Sequence, residues 1–442
     1  MSKRSKRTPG PEWLKLDNAA KIYPAVRSRK WTALYRLSVT LTDVVDEAVL
    51  AKALENTVRR IPFFAYRLRR GFFWFYLDRQ PVMPTPEPDV VNPLVRMQIS
   101  RENPFLFRIR VWNKRIAIEI FHALTDGTGG LVFLMTMTAE YLRLKYGTVC
   151  GPSPYILDTR EKPQAEETED SFLKYARKAR RARTESRAYR LRGTPGDPAH
   201  LRVITGRLPT QALYNKAKEH GVTVNVFLAS LLLKALYEIA REDPSRRRRQ
   251  LPVKLSMPVN LRRYYPSRTL RNFSSYVNAP IYAEYGEYTL EHIINQVKCF
   301  AGMEMSEQLL NARFSANVAA EQNKLLRGAP LFLKTLVLRF MYWLTGERYF
   351  TSTLSNLGVV ALPDGMTKHI EELNLILGPG KSNAASCGCV SFGGQTMISF
   401  SATIQEAEFE RRFFTSLVKL GIPVRIESNQ RGNTWPIASA AE

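Results

Sequence analysis

The run Phe121-His122-Ala123-Leu124-Thr125-Asp126-Gly127-Thr128-Gly129-Gly130 decides how this 442-residue chain is read. Before it, apolar residues alternate at Phe105, Phe107, Ile109 and Val111, break at Asn113-Lys114, and alternate again at Ile116, Ile118 and Ile120. Two period-two segments around a short polar break predict a β-hairpin. Extending the second strand by two residues places His122 on the face of Ile116, Ile118 and Ile120, which should look inward. Leu131, Leu134, Met135, Thr138 and Leu142 then take up a helical period that closes at Gly147. His122 therefore stands at a strand end, beside a glycine-rich strand-to-helix turn.

Three readings compete for this histidine. A core histidine would have its ring nitrogens satisfied by backbone groups. A metal pair would put His122 and Asp126 on one face of a helix. Gly127, Gly129 and Gly130 argue against helix at that point, and no third His or Cys lies nearby. A general base would need an imidazole held in one tautomer inside a dry cleft.

Landmarks further along the chain favour the third. His122-x-x-x-Asp126-Gly127 resembles the signature of the acyltransferase superfamily that contains chloramphenicol acetyltransferase, peptide-synthetase condensation domains and plant acyltransferases of specialised metabolism. Pro258-Val259-Asn260-Leu261-Arg262 resembles its second landmark, an arginine after a central strand. Arg271-Asn272-Phe273-Ser274-Ser275-Tyr276-Val277-Asn278 resembles the strand that comes next, and Ser355-Asn356-Leu357-Gly358 stands where a donor-channel motif is expected. Lys15-Leu16-Asp17-Asn18-Ala19-Ala20 and Gly71-Phe72-Phe73-Trp74-Phe75-Tyr76 fit the stand-alone bacterial alcohol acetyltransferases in particular. The similarity runs from about residue 14 to residue 427. Two departures are visible: Phe121 replaces the first of the paired histidines of condensation domains, and the plant-type Asp-Phe-Gly-Trp-Gly motif is absent.

The resemblance implies an α/β fold with mixed sheets, in which two chloramphenicol-acetyltransferase-like halves sandwich a central channel. It implies direct transfer of an acyl group from acyl-CoA (acetyl-CoA among them) to an alcohol. His122 would be the base, Gly127 would leave room for substrate, and Asp126 would turn from the pocket to pair with Arg262. Backbone N–H groups near Gly127, Ser355 or Asn356 would receive the oxyanion, and no metal is required. An N-acyltransferase or condensation-like enzyme fed by an acidic acyl carrier protein is the second reading. A non-catalytic lipid- or nucleic-acid-binding homologue is the third.

Composition narrows the partners. Lys plus Arg total 65 against 40 acidic residues, a formal charge of +25, which draws polyanions. The basic residues are spread along the chain and no nucleic-acid-binding signature is present, so specific nucleic-acid recognition is not expected; the phosphates of coenzyme A suit the charge. Cys150, Cys299, Cys387 and Cys389 show neither a CxxC pair nor metal spacing, as expected of reduced thiols in a cytoplasmic protein. No signal peptide is expected from the basic start, where Pro9, Gly10 and Pro11 intervene.

The pattern divides the chain into an N-terminal half (1–157), a charged connector (158–200) and a C-terminal half (201–442). Regular βαβ alternation is missing, so a doubly wound sheet is not expected. The connector should be solvated and mobile with an unbroken helical middle, and its cluster at 174–192 includes Arg177, Lys178, Arg180, Arg181, Arg183 and Arg187. Arg246-Arg247-Arg248-Arg249 should lie in a loop. Between Gly328 and Gly346, Leu333, Leu336, Val337, Phe340, Met341 and Leu344 share a helical face, with Lys334 and Arg339 among them. All-round apolarity predicts a helix buried on most sides; the alternative uses are attachment to an anionic membrane or lining of an acyl or lipid-alcohol pocket.

Overall fold

Seven- and five-stranded sheets, with a small three-stranded one, carry the chain. The computed structural model describes residues 12–26, 32–80, 82–97, 99, 104–178, 181, 184–197, 200–380 and 383–430. Residues 1–7, Arg180 and Arg183 lie outside these.

The predicted hairpin is present as Phe107–Trp112 against Arg115–Phe121, in antiparallel register. It sits in the five-stranded sheet in the order Ile370–Leu377, Leu34–Leu41, Arg115–Phe121, Phe107–Trp112, Glu87–Pro88. The edge strand Ile370–Leu377 comes from far along the chain. The alternation describes only half of the strand's burial: Ala117, Glu119 and Phe121 are as buried as Ile116, Ile118 and Ile120. On their side a closed ion network replaces solvent. Arg36 bridges Asp89 (2.5 Å) and Glu119 (3.0 Å), and Arg108 and Arg115 complete the pairing. Charges so enclosed need every partner present.

The seven-stranded sheet runs Ser274–Ile281, Val253–Asn260, Ser352–Val359, Ala385–Phe392, Gln395–Ala402, Arg202–Pro209, Arg425–Ser428. The apolar helix Val224–Arg241 and the amphipathic helix Glu408–Lys419 pack together on its core. Gly388 lets the two large sheets touch: a Cβ there would lie 2.4 Å from the carbonyl of Leu375. Its neighbours Cys387 and Cys389 are core residues, and burial pushes both thiols up, Cys389 to about 12.

Three expectations need correction. The connector is not unbroken helix among its described residues, and part of it is buried rather than solvated. Among its described residues helix is confined to Ser171–Tyr175 after a single 3-10 turn, and the rest of them take an irregular path. Buried Arg60 grips Glu167 in a bidentate pair at 2.7 Å, Phe172 enters the second core, and Tyr189 bonds Asp243 at 2.9 Å. Patterning missed this because the anchors are isolated residues without period. The four arginines from Arg246 form one helical turn, with Arg248 held 2.7 Å from Asp243. Finally, the helix Leu331–Thr345 is not buried on most sides: Phe332, Leu333, Leu336, Val337 and Phe340 are each 45–59% exposed.

Candidate active site

Helix begins earlier than the glycines suggested. The helix Gly127–Tyr146 starts at Gly127 itself, and Asp126 is its N-cap, its Oδ1 accepting from the Gly129 N–H at 3.1 Å. The glycines serve close approach rather than a left-handed turn. A Cβ on Gly129 would fall 2.1 Å from both the Leu270 carbonyl oxygen and Thr125 Oγ1; one on Gly130 would fall 2.6 Å from the Tyr35 hydroxyl. His122 and Asp126 therefore share no helical face. Among the described residues no cluster of His, Cys, Asp or Glu could hold a metal ion.

His122 comes directly after its strand, its N–H continuing the ladder to the Ala33 carbonyl at 2.9 Å. The ring is half-buried. Tyr23, from the short helix Ile22–Val26, stacks on it with centroids 4.8 Å apart and planes 17° apart. Tyr35 leans on it at 5.2 Å and donates its hydroxyl to the Asp126 carbonyl at 2.7 Å. Burial pulls the imidazole below its ordinary 6.5, only partly countered by Asp126 and by the bond to Asn272, so the ring is neutral at pH 7.

Its tautomer is set by a chain of hydrogen bonds. Asp17 Oδ2 accepts from Asn272 Nδ2 at 3.3 Å, which turns Asn272 Oδ1 toward His122 Nδ1 at 3.0 Å. An amide oxygen only accepts, so Nδ1 carries the proton and Nε2 keeps its lone pair. Asp17 is itself fixed by the Ala20 N–H (2.7 Å) and by Arg271 (3.6 Å). Burial raises its carboxyl from 3.8, against the opposing pull of Arg271. Asp17 and Asn272 stood in segments that the resemblance singled out, but the bonds from Asp17 to Asn272 and from Asn272 to His122 span 255 and 150 positions. Tyr23 and Tyr35 carried no signal, because neither sits in a motif.

Asp126 turns away from the ring. Its Oδ2 accepts from Arg262 Nη1 and from the Phe273 N–H, both at 2.8 Å. Arg262 also donates to the Thr269 and Arg271 carbonyls. The stretch 269–273 is thus clasped from one side by the Asp126 turn and from the other by the connector, through Leu270 N–H to Glu167 and Thr269 Oγ1 to Glu169. The two cores meet here, with Leu270 in one and Phe273 in the other.

Ser355 and Asn356 diverge. Leu357 comes within contact of the space beside Gly127, where a Cβ would meet its Cδ2 at 3.2 Å. Ser355 follows Leu354, a residue of the second core, so alternation ahead of the register shift between Asn356 and Val359 turns it from that core. Asn356 points the other way: its Oδ1 holds the Gly358 N–H (2.8 Å) and its Nδ2 faces Asn225 (3.4 Å).

The architecture has close counterparts among solved structures. The starter condensation domain of rhizomide synthetase, in complex with C8-CoA and Leu-SNAC, aligns at TM-score 0.59 and 15% identity, covering 92% of this chain and 94% of that one. The trichothecene 15-O-acetyltransferase TRI3 of Fusarium sporotrichioides aligns at 0.60 and 11% identity, covering 94% and 96%. The fold is that of the CoA-dependent acyltransferases. Polyketide synthase associated protein 5 of Mycobacterium tuberculosis shares it at 0.57 and 15% identity, over 92% of this chain and 97% of that one. No family model matches the chain, and no curated protein matches it in sequence.

Proposed function

We propose that this chain is an acyltransferase that moves an acyl group, acetyl or longer, from acyl-CoA to the hydroxyl of an alcohol, with His122 as general base. The observation that carries this reading is the neutral imidazole whose Nδ1–H is tied to Asn272 and whose Nε2 is left to take a proton. As the alcohol oxygen attacks the thioester carbonyl, its proton passes to Nε2. The tetrahedral oxyanion needs fixed donors, and Ser355, on the strand face turned from the second core, is the side chain we assign to it. Collapse breaks the C–S bond and expels coenzyme A as thiolate, which takes the proton back from the imidazolium. No covalent acyl-enzyme is formed.

The fold likeness to a domain solved with C8-CoA and to an O-acetyltransferase supports this donor and acceptor chemistry, as does the +25 charge toward the phosphates of coenzyme A. The likeness to a condensation domain and to a polyketide synthase associated protein favours, as the second reading, an acyl thioester borne on an acidic carrier protein. A free-thiol release assay separates them, with acetyl-CoA and longer acyl-CoAs offered to a panel of alcohols and amines. Alcohol-dependent thiol release is expected. Release with amines alone, or none with any acyl-CoA but transfer from a loaded carrier protein, would overturn the first reading.

Two variants probe the assignments. Ser355→Ala should lower kcat by about 10²-fold with KM nearly unchanged, the usual cost of one oxyanion donor, and Asn356→Ala should affect kcat far less. Equal losses would remove Ser355 from the role. Asn272→Ala should lower kcat about tenfold or more, since ring orientation and tautomer are no longer fixed. Wild-type kcat/KM should be full above the lowered His122 pKa and fall as pH drops through it, below 6.5. The Asn272 bond favours the charged ring, so its loss should move that acidic limb to still lower pH. An unmoved limb would show that Asn272 does not act on the imidazole.

A further inference from the structure

The helix Leu331–Thr345 is seated with its polarity reversed. Its inner side is fixed by Leu331 and by Lys334, which is 4% exposed and donates Nζ to the carbonyls of Phe73 and Arg327 at 3.0 Å. The Lys334 ammonium also sits over the Trp74 ring, 4.1 Å from its centroid. Phe332, Leu333, Leu336 and Val337 are left facing outward. Next to them is the tip of the hairpin Tyr66–Arg70 and Phe75–Arg79, where Phe72 is 71% and Phe73 47% exposed; the Phe72 carbonyl accepts from the Leu331 N–H at 2.8 Å. A contiguous apolar face of this kind marks an interaction surface.

Cations surround it. Arg69, Arg70, Lys324, Arg327 and Arg339 are exposed around the patch. Two carboxylates near these segments in sequence, Asp78 and Glu321, are engaged by Arg67 and Lys21. Outward aromatic and aliphatic side chains within a basic rim are the composition of an element that lies in a lipid interface. No single helix among the described residues is long and apolar enough to cross a membrane. The face is also near the chemistry: Arg339 Nε donates to the Ala25 carbonyl at 2.8 Å, in the same short helix whose Tyr23 stacks on His122.

We propose that this helix face and the hairpin tip dock on a membrane surface with anionic headgroups, bringing the His122 site beside the bilayer. Acidic lipids meet the basic rim while the outward side chains enter the headgroup–acyl boundary.

The test is co-sedimentation of the full chain with phosphatidylcholine vesicles, with and without phosphatidylglycerol. Binding should require phosphatidylglycerol and fall with salt. Phe332→Ser/Leu336→Ser should cut the bound fraction about tenfold or more, Lys324→Glu/Arg327→Glu should cut it similarly, and Val149→Ser, exposed elsewhere, should not change it. Because the substituted residues are exposed, unchanged melting will show that the fold is kept. Absent binding, equal binding to neutral vesicles, or binding insensitive to the serine substitutions would overturn the proposal. So would a dimer in sedimentation velocity that the serine substitutions dissolve, since a second copy would then own the face. Thiol release with a water-soluble alcohol should persist in both double variants, so failure to dock and failure of the acyltransferase reading are separate results.

Discussion

Replacing His122 by Ala should lower turnover by at least about 10²-fold, the low end of what a positioned base contributes, while the protein still unfolds cooperatively. The ring is half-buried and its packing partners are Tyr23 and Tyr35, so its removal leaves a void open to one side rather than a sealed cavity. Neither tyrosine can replace the base: burial lifts both hydroxyls well above their ordinary 10. Steady-state thiol release with circular dichroism on the same sample decides the matter. Retention of more than about a tenth of wild-type turnover would be incompatible with base catalysis by this residue.

The second large effect should come from a pair that does not touch substrate. Asp126→Ala should cost about 3–5 kcal/mol, the range for breaking a buried ion pair. It leaves Arg262, the Phe273 N–H and the helix-capping Gly129 N–H without their acceptor at once. Arg262→Ala should cost less, because the carboxylate keeps both backbone donors. Activity should fall in each, since the 269–273 stretch that presents Asn272 loses its clasp. The double variant should be less destabilised than the sum of the singles, by about 1–3 kcal/mol of coupling. Denaturant unfolding of the four proteins measures this, and strict additivity would mean the pair is not coupled.

Legibility in the sequence tracked the range of the interaction. The hairpin and the helix that follows His122 were readable because burial on one face writes a period into neighbouring residues. The expectation of a helical connector failed for the opposite reason. It is pinned by single long-range anchors, Glu167 to Arg60 and Tyr189 to Asp243, which leave no local pattern. Glycines at 127, 129 and 130 were read by their helix-breaking tendency, yet the Leu270 carbonyl and the Tyr35 hydroxyl demand them inside a helix; close packing overrides propensity.

Residue types and their spacing determined that an imidazole would stand at a strand end before a helix, and that the chain would carry a strong positive charge. They also determined that residues 331–345 would be an apolar helix. Tertiary structure alone decided which nitrogen of His122 faces Asn272, because the asparagine and aspartate that orient the ring arrive from segments 255 positions apart. It alone decided that Asn356 is engaged by the Gly358 N–H and by Asn225, a partner 131 positions away. And it alone turned the apolar side of the helix Leu331–Thr345 outward: composition says that a helix can bury its surface, but what it is buried against is set by the neighbours that folding brings to it.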